Sequence, residues 1–236
     1  MKSRPALILA LGLMCASRGF AADPVTEAMT SAYAPYRVVL FRTNSQAQTE
    51  SELAMAQATK NWQELISKYA KAPPPPYDRD ANFADTLMAV SAVYEKASGE
   101  IRAKKLAQAH ETLEAARDLM AEIRRRNNVI VYSDHMNAYH AELEHLLSEG
   151  PPLAGQAQGF LQLMEKLGVM AYLAARLRSE APAALVSDPA FAPAVTAVEK
   201  SLATLREAIL AQDATRVREA LSKIKGPYSQ LFLKFG

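Results

Sequence analysis

Asp80-Ala-Asn-Phe83, which follows the proline run Pro73 to Pro76, returns 108 residues later as Asp188-Pro-Ala-Phe191, which follows Pro182. These two stretches set the register of the whole chain. At that shift the halves superpose without a gap from Leu53 to Ile123: Leu53 falls on Leu161, Phe83 on Phe191, Val90 on Val198, Ile101 on Ile209, Glu111 on Glu219 and Leu113 on Leu221. Trp62, Leu65 and Met120 fall on Met170, Leu173 and Tyr228. An offset of 108 residues is about thirty helical turns, so amphipathic helices share apolar phase there by geometry alone. That geometry does not make the proline-rich breaks coincide, and the coincidence points to internal duplication.

Between the breaks, nearly every stretch repeats its apolar residues at spacings of three and four, and only nine glycines occur in 236 residues. This is the helical period, and no segment alternates as a strand would. The spacing predicts helices over 25–43, 47–71, 82–102, 106–127, 130–148, 156–179, 191–211 and 214–234. Pro73 to Pro76 cannot continue a helix, Gly150-Pro151-Pro152 reads as a stop of the same kind, and Pro182, Pro189 and Pro193 bracket another loop. Asp213 is placed to cap the last helix, and Ser133 or Asp134 to cap the one carrying His135. Each half reads as a helix, a short turn, a long helix, a proline-rich loop, a third helix, a tight turn and a fourth helix. Short turns make neighbours antiparallel. The expected fold is therefore all-α, two antiparallel four-helix-bundle-like halves in tandem, spanning 22–128 and 129–236.

Residues 1–21 read as a signal peptide, with Lys2 and Arg4 ahead of an apolar run from Ala6 to Ala16 that is too short to span a bilayer. Gly19 and Ala21 supply the small side chains for cleavage after Ala21. Cys15, the only cysteine, lies inside this segment behind the bulky Met14, which fits a soluble periplasmic product better than a lipoprotein. Removing Lys2, Arg4 and Arg18 leaves 24 basic residues against 25 acidic ones, a net charge of −1. A nearly neutral mature chain lacks the basic face a nucleic-acid binder needs. Without cysteine it has no disulfide, no thiolate metal site and no covalent haem. No transmembrane segment is expected after cleavage.

Ala208-Ile-Leu-Ala-Gln-Asp-Ala-Thr-Arg-Val-Arg-Glu-Ala-Leu221 resembles the turn and start of the last helix in cytochrome c-prime and the related soluble b-type cytochromes, and Ile101 to Leu113 is a weaker copy. The resemblance implies tandem four-helix bundles with a long middle loop. That family carries a Cys-x-x-Cys-His haem motif on its last helix. The matching stretches here, Lys225 to Phe235 and Arg117 to Arg126, contain neither cysteine nor histidine. The resemblance thus implies a fold and carries over no haem ligand.

All four histidines lie between residues 110 and 145, three of them in Ser133-Asp-His-Met-Asn-Ala-Tyr-His-Ala-Glu-Leu-Glu-His145. On a helix Met136 and His140 share a face, as do His140 and Glu144. The apolar stripe through Tyr132, Met136, Tyr139 and Leu143 turns Met136 and His140 inward and His145 toward water. Met136, His140, His135, Asp134 and Glu144 are the candidate metal ligands. Imidazole and thioether would suit copper, and imidazole with carboxylate would suit iron or zinc. The competing structural interpretation makes His140 a hydrogen-bonded core histidine and Met136 a space filler. His110 falls on Arg218 at the 108 offset and is expected to be exposed; the methionines at 55, 88, 120, 164 and 170 are expected in the core. Arg124 to Arg126 are expected to offset a helix dipole. Tyr36, Arg37, Phe41, Arg42 and Asn44 are expected to pack the junction between halves.

No nucleophile elbow, phosphate-cradling loop or catalytic carboxylate pair is visible, so the expected function is non-enzymatic. The leading expectation is a periplasmic binding protein holding a copper or iron ion. The alternatives are a helical scaffold for an envelope protein or small ligand, and a non-covalent haem binder.

Overall fold

The computed structural model describes residues 23–156 and 158–236. The expected signal peptide and Cys15 lie outside the described residues. The described residues form nine α-helices and no strand: α1 Pro24–Asn44, α2 Gln48–Tyr69, α3 Phe83–Arg102, α4 Leu106–Arg126, α5 Tyr132–Leu153, α6 Gly159–Ser179, α7 Ala183–Val186, α8 Phe191–Leu210 and α9 Ala214–Phe235. A single 3₁₀ turn, Tyr77–Arg79, sits in the first proline-rich loop.

The amphipathic faces close into two separate cores. In the first, α1 to α4 pack in chain order and α1 also meets α4; in the second, α5, α6, α8 and α9 close the same ring. The buried residues of the first core run from Val25 to Ile123 and those of the second from Tyr132 to Phe235. Aromatic residues with a polar tip lock neighbouring helices by reaching backbone carbonyls. Trp62 Nε1 donates to Leu87 O at 2.9 Å, Tyr36 to Leu113 O at 2.8 Å, Tyr132 to Leu177 O at 2.8 Å and Tyr228 to Met136 O at 2.9 Å. A buried hydroxyl or indole N–H without such a partner would cost about 1–3 kcal/mol.

Positions 108 apart have like environments. Phe83 and Phe191 are 1% and 2% exposed, whereas Leu53 and Leu161 are 69% and 70% exposed. Asp80 and Asp188 each accept from a backbone N–H two residues on, at 3.0 and 2.8 Å. Lys104 and Gln212, in the tight turns before α4 and α9, both have positive φ, 60° and 52°.

Several local expectations are corrected. Helix α5 does not stop before Gly150 but runs through Pro151 and Pro152 to Leu153. Proline's fixed φ is already helical, and so near the end of the helix its cost is limited to two carbonyls that lose their donors. Packing outweighs that cost: Leu153 and Ala154 are buried in the second core, and a Cβ on Gly150 would lie 2.9 Å from Leu221 Cδ1, so the bare backbone lets α5 and α9 meet. Ser133 lies within α5, and Asp134 acts from its third position by accepting from Val131 N at 3.0 Å. Asp213 does cap α9, accepting from Thr215 N and Arg216 N, each at 3.0 Å. Met88 is exposed, unlike the core position expected of it.

The bundles join through α1 and α9 and the short connection between α4 and α5. Phe232 packs against both cores and meets Tyr33 edge-on at 6.5 Å. Arg37 Nη1 donates to Phe232 O at 3.1 Å, and Tyr33 donates to Asn137 Oδ1, also at 3.1 Å. Arg124, 3% exposed, grips Asp134 with Nε at 3.1 and 3.0 Å from the two carboxylate oxygens. Arg126 grips Asp80. The arginines at the end of α4 therefore do more than offset a dipole, since two of them are tied to carboxylates on other elements.

Candidate functional site

A cleft with a cavity of about 60 Å³ opens at the junction of the bundles. Its apolar wall is Leu40, Phe41, Tyr228 and Phe232, and its polar groups are Asn44, His110, Glu114, Arg117, Asn137, His140, Lys225 and Ser229. That volume holds an ion and a few waters, not a drug-sized ligand or a haem.

Helix α4 supplies His110 and Glu114, four residues apart and so on one face. Helix α5 supplies His140 across the junction. His110 Nδ1 lies 3.1 Å from Leu40 O, a contact that requires a proton on Nδ1. In the neutral ring Nε2 is then a bare acceptor, 3.8 Å from Glu114 Oε1, another acceptor. His140 Nε2 lies 3.7 Å from the same oxygen. Two imidazole nitrogens carried by different bundles therefore face one carboxylate oxygen, and on His110 the facing nitrogen is a lone pair.

The surrounding groups orient this trio. Arg117 Nη2 holds the other oxygen of Glu114 at 2.7 Å. His140 stacks on Tyr228 at 5.8 Å with 16° between the planes, and its Nδ1 faces Glu144 Oε1 at 3.9 Å. Lys225 in turn holds Glu144 at 2.8 Å. Burial acts to raise the Glu114 carboxyl, but His140 beside it, together with Arg117 and His110, outweighs burial and brings it down to about 2. Burial pushes His110 below its ordinary value, against the pull of Glu114. The trio therefore presents a carboxylate and, on His110, a neutral imidazole near pH 7.

Of the five candidate metal ligands read from the sequence, only His140 lines this cleft, with Glu144 behind it at 3.9 Å from Nδ1. Met136 is fully buried in the second core. Asp134 is occupied by Arg124 and by the start of α5. His135 lines a different groove with Arg176 and Glu180, and burial together with Arg176 lowers its pKa. Five residues turn a helix by about 500°, which is why His135 and His140 point apart. His110 is not the exposed residue expected: its side chain is 27% exposed and it faces the cleft. Glu114 and Arg117 escaped the sequence reading. The His110–Glu114 spacing was the available signal, and it became informative only with His140 of α5 placed opposite it across the junction.

No family model, curated protein or solved structure matches this chain. Among the described residues, no three of His, Cys, Asp and Glu already stand at metal-binding separations. Ligand bonds of about 2.0–2.2 Å put the donors of a tetrahedral ion about 3.3–3.5 Å apart. Each imidazole nitrogen lies a few tenths of an ångström beyond that from Glu114 Oε1, at 3.7 and 3.8 Å. Among the described residues, no helix is long and apolar enough to cross a membrane.

Proposed function

We propose that this chain is a non-enzymatic binding protein of the bacterial periplasm that holds a divalent transition-metal ion between its two bundles, with His110, Glu114 and His140 as ligands. The observation that carries this reading is the meeting of two imidazole nitrogens from different bundles at one carboxylate oxygen. The outer partners support it: Leu40 O fixes the tautomer of His110, Glu144 faces the far nitrogen of His140, and Arg117 orients Glu114. Such partners set ligand orientation and basicity in metal sites. A donor set of two imidazoles and one carboxylate, without thioether, favours zinc or ferrous iron over copper(I). Secretion rests on the signal-peptide reading of residues 1–21.

The same reading treats the two bundles as copies of one ancestral unit related to the cytochrome-like bundles, with the site arising only where they meet. At the 108 offset His110 and Glu114 correspond to Arg218 and Ser222, and His140 to Ala32, so neither bundle repeats the trio.

Titration of the purified protein with zinc, ferrous iron, copper(II) and copper(I) tests the reading. Loss of His110 and His140 together, as alanines, is expected to weaken zinc or ferrous iron binding by about 100-fold or more. Equal affinity in the wild type and the double variant overturns it.

A further inference from the structure

Resting on the metal reading above, we infer that the junction cleft takes a second ligand together with the ion: a small monocarboxylate, one oxygen of which completes the coordination while the other is held by the side-chain amide of Asn137.

Charge is the first reason. Glu114 is already neutralised by Arg117, and Glu144 by Lys225. An imidazole binds an ion as the neutral ring, so a divalent ion held by His110 and His140 brings two positive charges that no remaining group in the cleft offsets. An uncompensated charge in a half-buried site is costly, and an anionic ligand removes the cost. Coordination is the second reason. Three protein ligands leave an open position on a tetrahedral ion, as in sites that accept an exogenous ligand.

Asn137 is the third, independent reason. Its Oδ1 accepts from Tyr33 at 3.1 Å, which fixes the amide, while its Nδ2 is buried without a partner. A buried amide N–H₂ with nothing to donate to is an expensive arrangement unless a ligand supplies the acceptor. Asn137 lines the same cleft as His110, Glu114 and His140. The apolar wall of Leu40, Phe41 and Phe232 then suits a short alkyl group, and the cavity of about 60 Å³ limits the ligand to a few heavy atoms. These features together select a short-chain carboxylate over a bare halide, which could satisfy the ion but not the amide and the wall.

The test is zinc affinity in a non-coordinating buffer with acetate or with chloride at equal ionic strength. Acetate is expected to tighten zinc binding by about tenfold, and zinc to tighten acetate by the same factor. In Asn137→Leu most of that gain should vanish while affinity in the absence of acetate is retained. As Asn137→Leu also removes the partner of Tyr33, the wild type loaded with cobalt(II) provides a second readout. Its visible d–d bands should change with acetate and not with chloride. Zinc binding that is indifferent to acetate, or that responds equally to chloride, overturns the inference and leaves the metal site standing. Absence of zinc binding removes both.

Discussion

The imidazoles of His110 and His140, carried by different bundles, meet at a single atom: their Nε2 nitrogens lie 3.8 and 3.7 Å from Glu114 Oε1. Since α4 belongs to the first core and α5 to the second, an ion bound by all three side chains ties the two cores together. Ligand binding stabilises the folded state by mass action, by about 2.7 kcal/mol at a free concentration one hundred times Kd. Zinc at that excess should raise the thermal midpoint of the wild type and leave that of His140→Ala unmoved. Equal protection of both proteins in a thermal scan would place the zinc elsewhere.

Met136 is fully buried, packed in the second core among Tyr139, Leu143 and Tyr228, and its carbonyl accepts from Tyr228. A core methionine tolerates a change of similar volume and not a large deletion. Met136→Leu should cost less than about 1.5 kcal/mol, and Met136→Ala about 2–5 kcal/mol, both read from urea unfolding. Zinc affinity should be the same in Met136→Leu as in the wild type. A weakened affinity in a variant that unfolds normally would return the thioether to the ligand set.

The helical content and the halves were legible because they rest on periodicity. Apolar spacing is a property of each segment alone, and Phe83, Val90, Phe191 and Val198 are buried as their phase required. The site was only half legible for the opposite reason. His140 stood out through local clustering, but Glu114 is one of 25 acidic residues, and nothing near it in sequence distinguishes it. Its role depends on how the two bundles meet, which no period encodes. His110 was discounted because its match at the 108 offset is Arg218, an inference sound for positions inside a bundle and wrong for one facing the junction. The prolines of α5 misled in another way: a strong local signal at Pro151 and Pro152 was overridden by burial of Leu153 and Ala154 immediately after them.

Asp80 joins the first proline-rich loop to the end of α4. Its carboxylate accepts from Arg126 Nε and Nη2, from Asn127 Nδ2 and from Asn82 N. Burial acts to raise its pKa, but the bonds from Arg126, Asn127 and Asn82 prevail and hold it below the ordinary value of 3.8. With the folded pKa depressed, the stabilisation is present above 3.8 and is lost as pH falls below it through the folded value. Asp80→Asn should therefore lower stability by about 1–2 kcal/mol at neutral pH. The gap between the two proteins in urea midpoint should narrow steadily on acidification below 3.8. A gap that does not change with pH would assign the loss to packing and not to the ionised carboxylate.

Two glycines of α6 should respond to alanine with opposite signs. Gly159 opens the helix against the end of α5, and a Cβ there would lie 1.7 Å from the carbonyl oxygen of Leu153 and 2.6 Å from its carbon. These are backbone atoms that cannot swing aside, so Gly159→Ala must push α5 and α6 apart and loosen the second core, at a cost of about 2–4 kcal/mol. Gly168 lies on the exposed face of the same helix, and a Cβ there would meet nothing within 4 Å. Removing a glycine from a helix interior lowers the entropy of the unfolded chain, so Gly168→Ala should gain about 0.5–1 kcal/mol. Urea midpoints of the two variants, measured side by side, should fall on either side of the wild type. A Gly159→Ala protein as stable as the wild type would mean that the connection between α5 and α6 does not make the close approach described for it.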